Sequence, residues 1–156
     1  MATYTVDLFM TLDGFGSGPV AYWGKDGPEL REQRARTYGE KDQTLVFGAN
    51  TYRMMAHFAA AGEDPNFASL NATRKIVISR TLQAPLGLKN STLIAEDALD
   101  AVPRLKAQSP VPLRSHGSIA MNRALLAGLP DIDLELVDSR AFDGRVQQLV
   151  YLPTVR

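Results

Sequence analysis

A chain of 156 residues is long enough for one domain with a real core, and 45% hydrophobic against 22% charged residues is the balance of a globular protein. Lys+Arg and Asp+Glu both number 17, so the formal net charge is zero, which argues against a nucleic-acid binder that works by bulk positive charge. The absence of cysteine and the presence of only two histidines, His57 and His116, exclude disulfides, thiolate metal centres and a cysteine nucleophile, and leave a zinc site poorly supplied with ligands. No apolar run approaches the about 18 residues of a membrane span. The opening residues, Met1 to Asp7, have neither a basic start nor an apolar signal core, so a cytoplasmic location is expected.

In chain order, residues 4–11 alternate, with Tyr4, Val6, Leu8 and Met10 against Thr5, Asp7, Phe9 and Thr11, which predicts a strand with two unlike faces. A glycine-rich loop follows, from Asp13-Gly14 to Gly18-Pro19; its spacing is not the G-x-G-x-x-G of a dinucleotide fingerprint. Pro28 opens a polar surface helix over 29–38, and Gly39 can close it. Residues 44–47 form a second strand, which runs through Gly48 into a helix over 50–58, and 59–69 read as a surface loop. Lys75-Ile76-Val77-Ile78-Ser79 has the continuous apolar pattern of a buried parallel strand. A short strand follows over 92–95. The spacing of Ala98, Ala101, Val102 and Leu105 then predicts a helix, either capped by Asp100 or bent at Pro103. The remaining expectations are a strand over 111–114, a helix over 119–127, and two strands over 132–136 and 147–152, with antiparallel pairing suiting the last two. The whole is one α/β domain over 1–156 built on a mainly parallel sheet with antiparallel C-terminal strands.

Parallel sheets bind ligands at the carboxyl ends of their strands. Three such ends here carry small or hydroxyl residues: Gly48-Ala49-Asn50-Thr51, Ser79-Arg80-Thr81, and Ser115-His116-Gly117-Ser118. The first and third lead straight into helices, whose N-terminal amides and partial positive charge suit an anion. Arg80 adds a cation matched to phosphate. Together they can hold a pyrophosphate at two helix ends and a further phosphate at Arg80. Asp13, held in a turn after the first strand, can orient or protonate a polar heterocycle, and Trp23 can wall a planar ligand. His57 reads as a surface or packing residue. No nucleophile, base and orienting group assemble into a legible triad, so Ser-His-Asp hydrolysis finds little support.

Thr11-Leu12-Asp13-Gly14-Phe15, Gly48-x-x-Thr51-Tyr52, Val77-Ile78-Ser79-Arg80-Thr81-Leu82 and Gly117-Ser118 before an apolar helix, in that order and spacing, resemble the dihydrofolate-reductase-like superfamily. Within it they look most like the reductase domain of bifunctional riboflavin-biosynthesis enzymes (the RibD C-terminal domain family). The resemblance implies a three-layer α/β/α fold around a mixed sheet, NADPH as hydride donor and a small heterocyclic substrate. It assigns Gly48, Ala49, Thr51, Gly117 and Ser118 to the cofactor's phosphates, Ser79, Arg80 and Thr81 to its adenosine end, and Asp13 to the nicotinamide and substrate side. It also implies a homodimer. The family's arginine after the strand-end glycine is Ala49 here, which implies one phosphate contact fewer, and the family's Gly-x-Gly loop near the C-terminus is replaced by Phe142-Asp143-Gly144-Arg145. Two other readings are a non-catalytic nucleotide-binding member of the fold and a true dihydrofolate reductase.

Overall fold

Strand β2 (Thr44–Gly48) is apolar on both sides because it lies at the centre of a five-stranded parallel sheet and is covered on both faces. A computed structural model of the chain describes residues 1–16, 27–40, 42–61 and 66–156. The sheet order is β1-β5-β2-β3-β4, with β1 at Tyr4–Asp7, β3 at Arg74–Ile78, β4 at Ser91–Ile94 and β5 at Leu113–His116. Every pairing in it is parallel.

The strict alternation of β2 sorts its side chains to two cores. Leu45 and Phe47 meet helices α1 (Pro28–Gly39), α2 (Ala49–Ala61) and α3 (Asn66–Ala72) through Tyr38, Tyr52, Met55 and Leu70. Val46, with Ile78 and Leu113, meets α4 (Ala98–Gln108) and α5 (Ile119–Ala127) through Ala101, Val102 and Met121. Leu45, Val46, Phe47, Val77 and Ala101 have no exposed surface. Burial of a Leu, Val or Phe of this kind contributes about 1.5–3 kcal/mol each.

Several elements differ from the sequence expectation. Strand β1 stops at Asp7 instead of continuing to Thr11, because its partner β5 turns left-handed at Gly117 directly after Gly117 N donates to Asp7 O at 2.8 Å. Beyond that bond the alternating residues have no ladder. Strand β5 begins only at Leu113, where Leu113 N donates to Thr3 O; the prolines at 110 and 112 have no amide to offer earlier. Helix α3 occupies part of the expected 59–69 loop, and α2 runs on to Ala61. Helix α4 is capped by Asp97, whose carboxylate accepts from Leu99 N at 3.1 Å, so Asp100 is inside the helix and so is Pro103.

The last two strands, β6 (Ile132–Phe142) and β7 (Val146–Val155), pair antiparallel with each other as a separate two-stranded ladder and are not part of the main sheet. A bulge lies between Leu136 and Asp138. At the hairpin tip Asp143 and Gly144 both have positive φ, 53° and 62°, the conformation a tight two-strand reversal demands. The tip is pinned to α1: the Asp143 carboxylate accepts from Glu29 N and Leu30 N at 3.1 Å each, and Glu29 Oε2 accepts from Asp143 N at 2.7 Å. This is a reciprocal helix cap supplied from 114 residues away. Gly27, the N-cap residue, has no side chain for the reason that a Cβ there would overlap the Asp143 carboxylate.

Candidate functional site

Strands β2 and β5 are neighbours in the sheet, yet the helices that follow them go to opposite faces: α2 packs with Tyr52 and Met55 on one core, α5 with Met121 on the other. Adjacent strands whose helices diverge leave a crevice at their carboxyl ends, the place where open α/β sheets take ligands. Here the crevice is stitched. Gly48 N donates to Ser118 Oγ at 2.9 Å, and Ser118 N donates to Thr51 Oγ1 at 2.8 Å. Gly117 and Ser118 both adopt the left-handed region, φ 68° and 46°. For Gly117 this is the conformation glycine permits cheaply, and Thr51 Oγ1 lies 3.4 Å from where a Cβ would sit, an ordinary contact. Ser118 holds it against the cost because its amide and hydroxyl are both bonded.

Thr51 and Ser118 are buried, so their first task is to shape this turn. Each oxygen accepts an amide, which leaves each hydroxyl proton free to be donated. Among the described residues no side chain caps the N-terminus of α5. Beneath the turn Asn122, fully buried, donates Nδ2 to Gly117 O at 2.7 Å, and its Oδ1 has no partner among the described residues. Ala49, the first residue of α2, contributes only a methyl group.

The third strand end forms a second group. Ser79 Oγ accepts from Thr81 N and Leu82 N, both at 3.1 Å, and lies 3.3 Å from Thr81 Oγ1, a compact hydroxyl turn. Arg80 is exposed and faces Asp97 at 3.6 Å. A second guanidinium meets this turn from α2: Arg53 Nη2 donates to Thr81 Oγ1 at 3.2 Å and Arg53 Nη1 to Asn50 Oδ1 at 3.1 Å. Asp13 stands apart, exposed in a turn closed by Gly14 N to Thr11 O and Thr11 N to Phe15 O, both 2.9 Å; it bonds to none of the described residues. Trp23 and the loop from Ser17 onward lie outside the described residues.

A polar cluster not expected from the sequence lies where β1 and β5 end. Their register sets Asp7 beside His116 and Thr5 beside Arg114. Arg114 Nη1 donates to both Asp7 carboxylate oxygens at 2.9 Å, and its Nε to Gln43 Oε1 at 3.2 Å. His116 Nδ1 is 3.8 Å from Asp7 Oδ2, beyond a hydrogen bond, and its ring meets Tyr38 edge-on at 5.3 Å. Burial works to raise the pKa of Asp7, but His116 and the Arg114 guanidinium outweigh it and hold the carboxyl below its ordinary value. The cluster lines a cavity of about 1940 Å³ between β1, α1 and the hairpin, shared with Tyr38, Leu134 and Tyr151. Gly48, Thr51, Gly117 and Ser118 do not line it. Asp7 and Arg114 are 107 residues apart in the chain, and only the strand order, which pattern does not encode, makes them neighbours.

Compared with known proteins, the chain matches no family model and no curated protein. Among the described residues no group of His, Asp and Glu is arranged to hold a metal ion, and no helix is long and apolar enough to cross a membrane.

Proposed function

We propose that the chain is an NADPH-dependent reductase of a small heterocyclic, pyrimidine- or pterin-like substrate, akin to the 5-amino-6-(5-phosphoribosylamino)uracil reductases its motifs resemble. The observation that carries this reading is the stitched crevice: Gly48 and Thr51 bonded to Gly117 and Ser118 across two adjacent strand ends. The residues present fit a dinucleotide's phosphates. With Gly117 N and Ser118 N already bonded, the amides at the uncapped start of α5, from Ile119 on, are the ones proposed for a pyrophosphate oxygen, and the Thr51 and Ser118 hydroxyls retain protons to donate. Ser79, Arg80 and Thr81 form the hydroxyl and cation group for the adenosine side.

When bound, the dihydronicotinamide supplies the hydride. The protein's share is to bind, to orient and to handle one proton. Asp13 is the residue proposed for that proton, because its carboxylate is exposed on the turn after β1 and bonds to none of the described residues, and Trp23 is proposed as a wall for the substrate ring. The Asp7, Arg114 and His116 side chains offer a substrate both donors and acceptors at the same edge. A homodimer is proposed as the working form, supported by the exposed apolar side chains of the hairpin: Leu134, Leu136, Val137 and Leu152 are each more than half exposed. Titration with NADPH, followed by its oxidation in the presence of pyrimidine, pterin and dihydrofolate substrates, tests the reading. Binding without turnover on any of them favours a non-catalytic nucleotide binder, and turnover on dihydrofolate alone favours a dihydrofolate reductase.

A further inference from the structure

Arg53 is held in a place that its helix position alone does not dictate. It lies four residues after Ala49, hence on the same face of α2 one turn further on. Side chains on a helix lean toward its N-terminus, and a long one reaches back over the preceding turn. Arg53 does this: Nη1 bonds Asn50 Oδ1, in the first turn of α2, while Nη2 crosses to Thr81 Oγ1 at the end of β3. Its guanidinium therefore bridges the first turn of α2 and the Ser79–Arg80–Thr81 turn, over the helix start where Ala49 offers only a methyl.

The charge balance separates the two arginines at this turn. Arg80 has Asp97 at 3.6 Å, and the neighbouring Glu96 is taken by Arg104 at 2.6 Å. Arg53 meets only neutral oxygens, and no carboxylate pairs with it among the described residues. Of the guanidiniums at the β3 end it is the one whose charge an incoming phosphate meets unopposed.

We infer that Arg53 is a specificity-determining residue of the nucleotide site, binding the 2′-phosphate of NADPH together with Arg80 and supplying from the second turn of α2 the cation that position 49 lacks. The inference rests on the proposed nucleotide site and adds to it the residue that selects a 2′-phosphorylated ligand. The exposed position of Arg53 makes its replacement compatible with folding, which thermal melts of each variant verify.

The experiment is calorimetric titration of NADPH, NADH and adenosine 2′,5′-bisphosphate into the wild type, Arg53→Ala, and Arg53→Ala combined with Ala49→Arg. Loss of one charge-assisted contact weakens binding about tenfold. The expected result is that loss for NADPH and adenosine 2′,5′-bisphosphate in Arg53→Ala, little change for NADH, and recovery of NADPH affinity when arginine is placed at 49. Unchanged NADPH affinity in Arg53→Ala, or equal weakening of NADPH and NADH, overturns the role of Arg53 while leaving the nucleotide site standing. A wild type that binds none of the three ligands overturns the nucleotide site itself, and the inference with it.

Discussion

Lys75 shows how one side chain can carry a folding decision. It starts a strand that reads as continuously apolar, yet it is fully buried. Its ammonium turns to the end of α3, where Leu70 O, Asn71 O and Thr73 O accept from Nζ. A cation at a helix C-terminus satisfies carbonyls that have no helical partner. Burial pushes the Lys75 pKa down to about 8, which still leaves it mostly charged at neutral pH. The folded pKa lies below the ordinary lysine value of about 10.4. Between these values the unfolded chain binds the extra proton, so this group makes the fold more stable as pH rises through that window. Lys75→Met removes the effect and orphans buried carbonyls, at an expected cost of about 1–3 kcal/mol at pH 7. Urea melts of both proteins at neutral and alkaline pH check this: the wild-type advantage grows above pH 8, and a constant difference contradicts it.

At the scale of elements, hydrophobic pattern was informative where an element is buried on its own account. The strands expected over 44–47 and 75–79 occur as Thr44–Gly48 and Arg74–Ile78, because the middle of a strand covered on both faces is apolar. Helix α5 was legible to the residue, bounded by Ser118 and Gly128. Helix α3 was not, because its polar Asn66, Ser69 and Asn71 carry turn signals, and what holds it is Leu70 in the Tyr38 core and Lys75 at its end. The departure at Phe142-Asp143-Gly144-Arg145 also gains a structural account: Asp143 caps α1. Removal of a helix cap costs about 1 kcal/mol. Asp143→Ala is therefore expected to lose about that much stability and to raise amide exchange in the first turn of α1. Hydrogen exchange confined to the hairpin, with α1 unchanged, contradicts the cap.

For the whole molecule, the candidate residues divide as the topology dictates. Gly48, Thr51, Gly117 and Ser118 converge because β2 and β5 are neighbours, and Ser79 to Thr81 sit one strand further along. Periodicity marks strand ends but is silent on strand order, so it encodes neither the Asp7–Arg114 pair nor the reach of Arg53. The hairpin is the other feature of this scale. A two-stranded ladder alone is marginal in water, and this one is joined to the rest at its tip and leaves Leu136 and Tyr151, which face each other across the strands, about half exposed. A second copy covering that face is the expected remedy. Sedimentation is expected to give twice 17.1 kDa, and Leu136→Lys to return the monomer with its fold intact; a wild-type monomer at every concentration contradicts the dimer.

Calorimetric titration with NADPH tests the proposed nucleotide site at the stitched crevice. Saturable binding of one NADPH per chain, lost in a Gly117→Val variant that the left-handed φ of 68° disfavours, is the predicted result. No binding of NADPH or NADH at millimolar concentration by the folded wild type contradicts it.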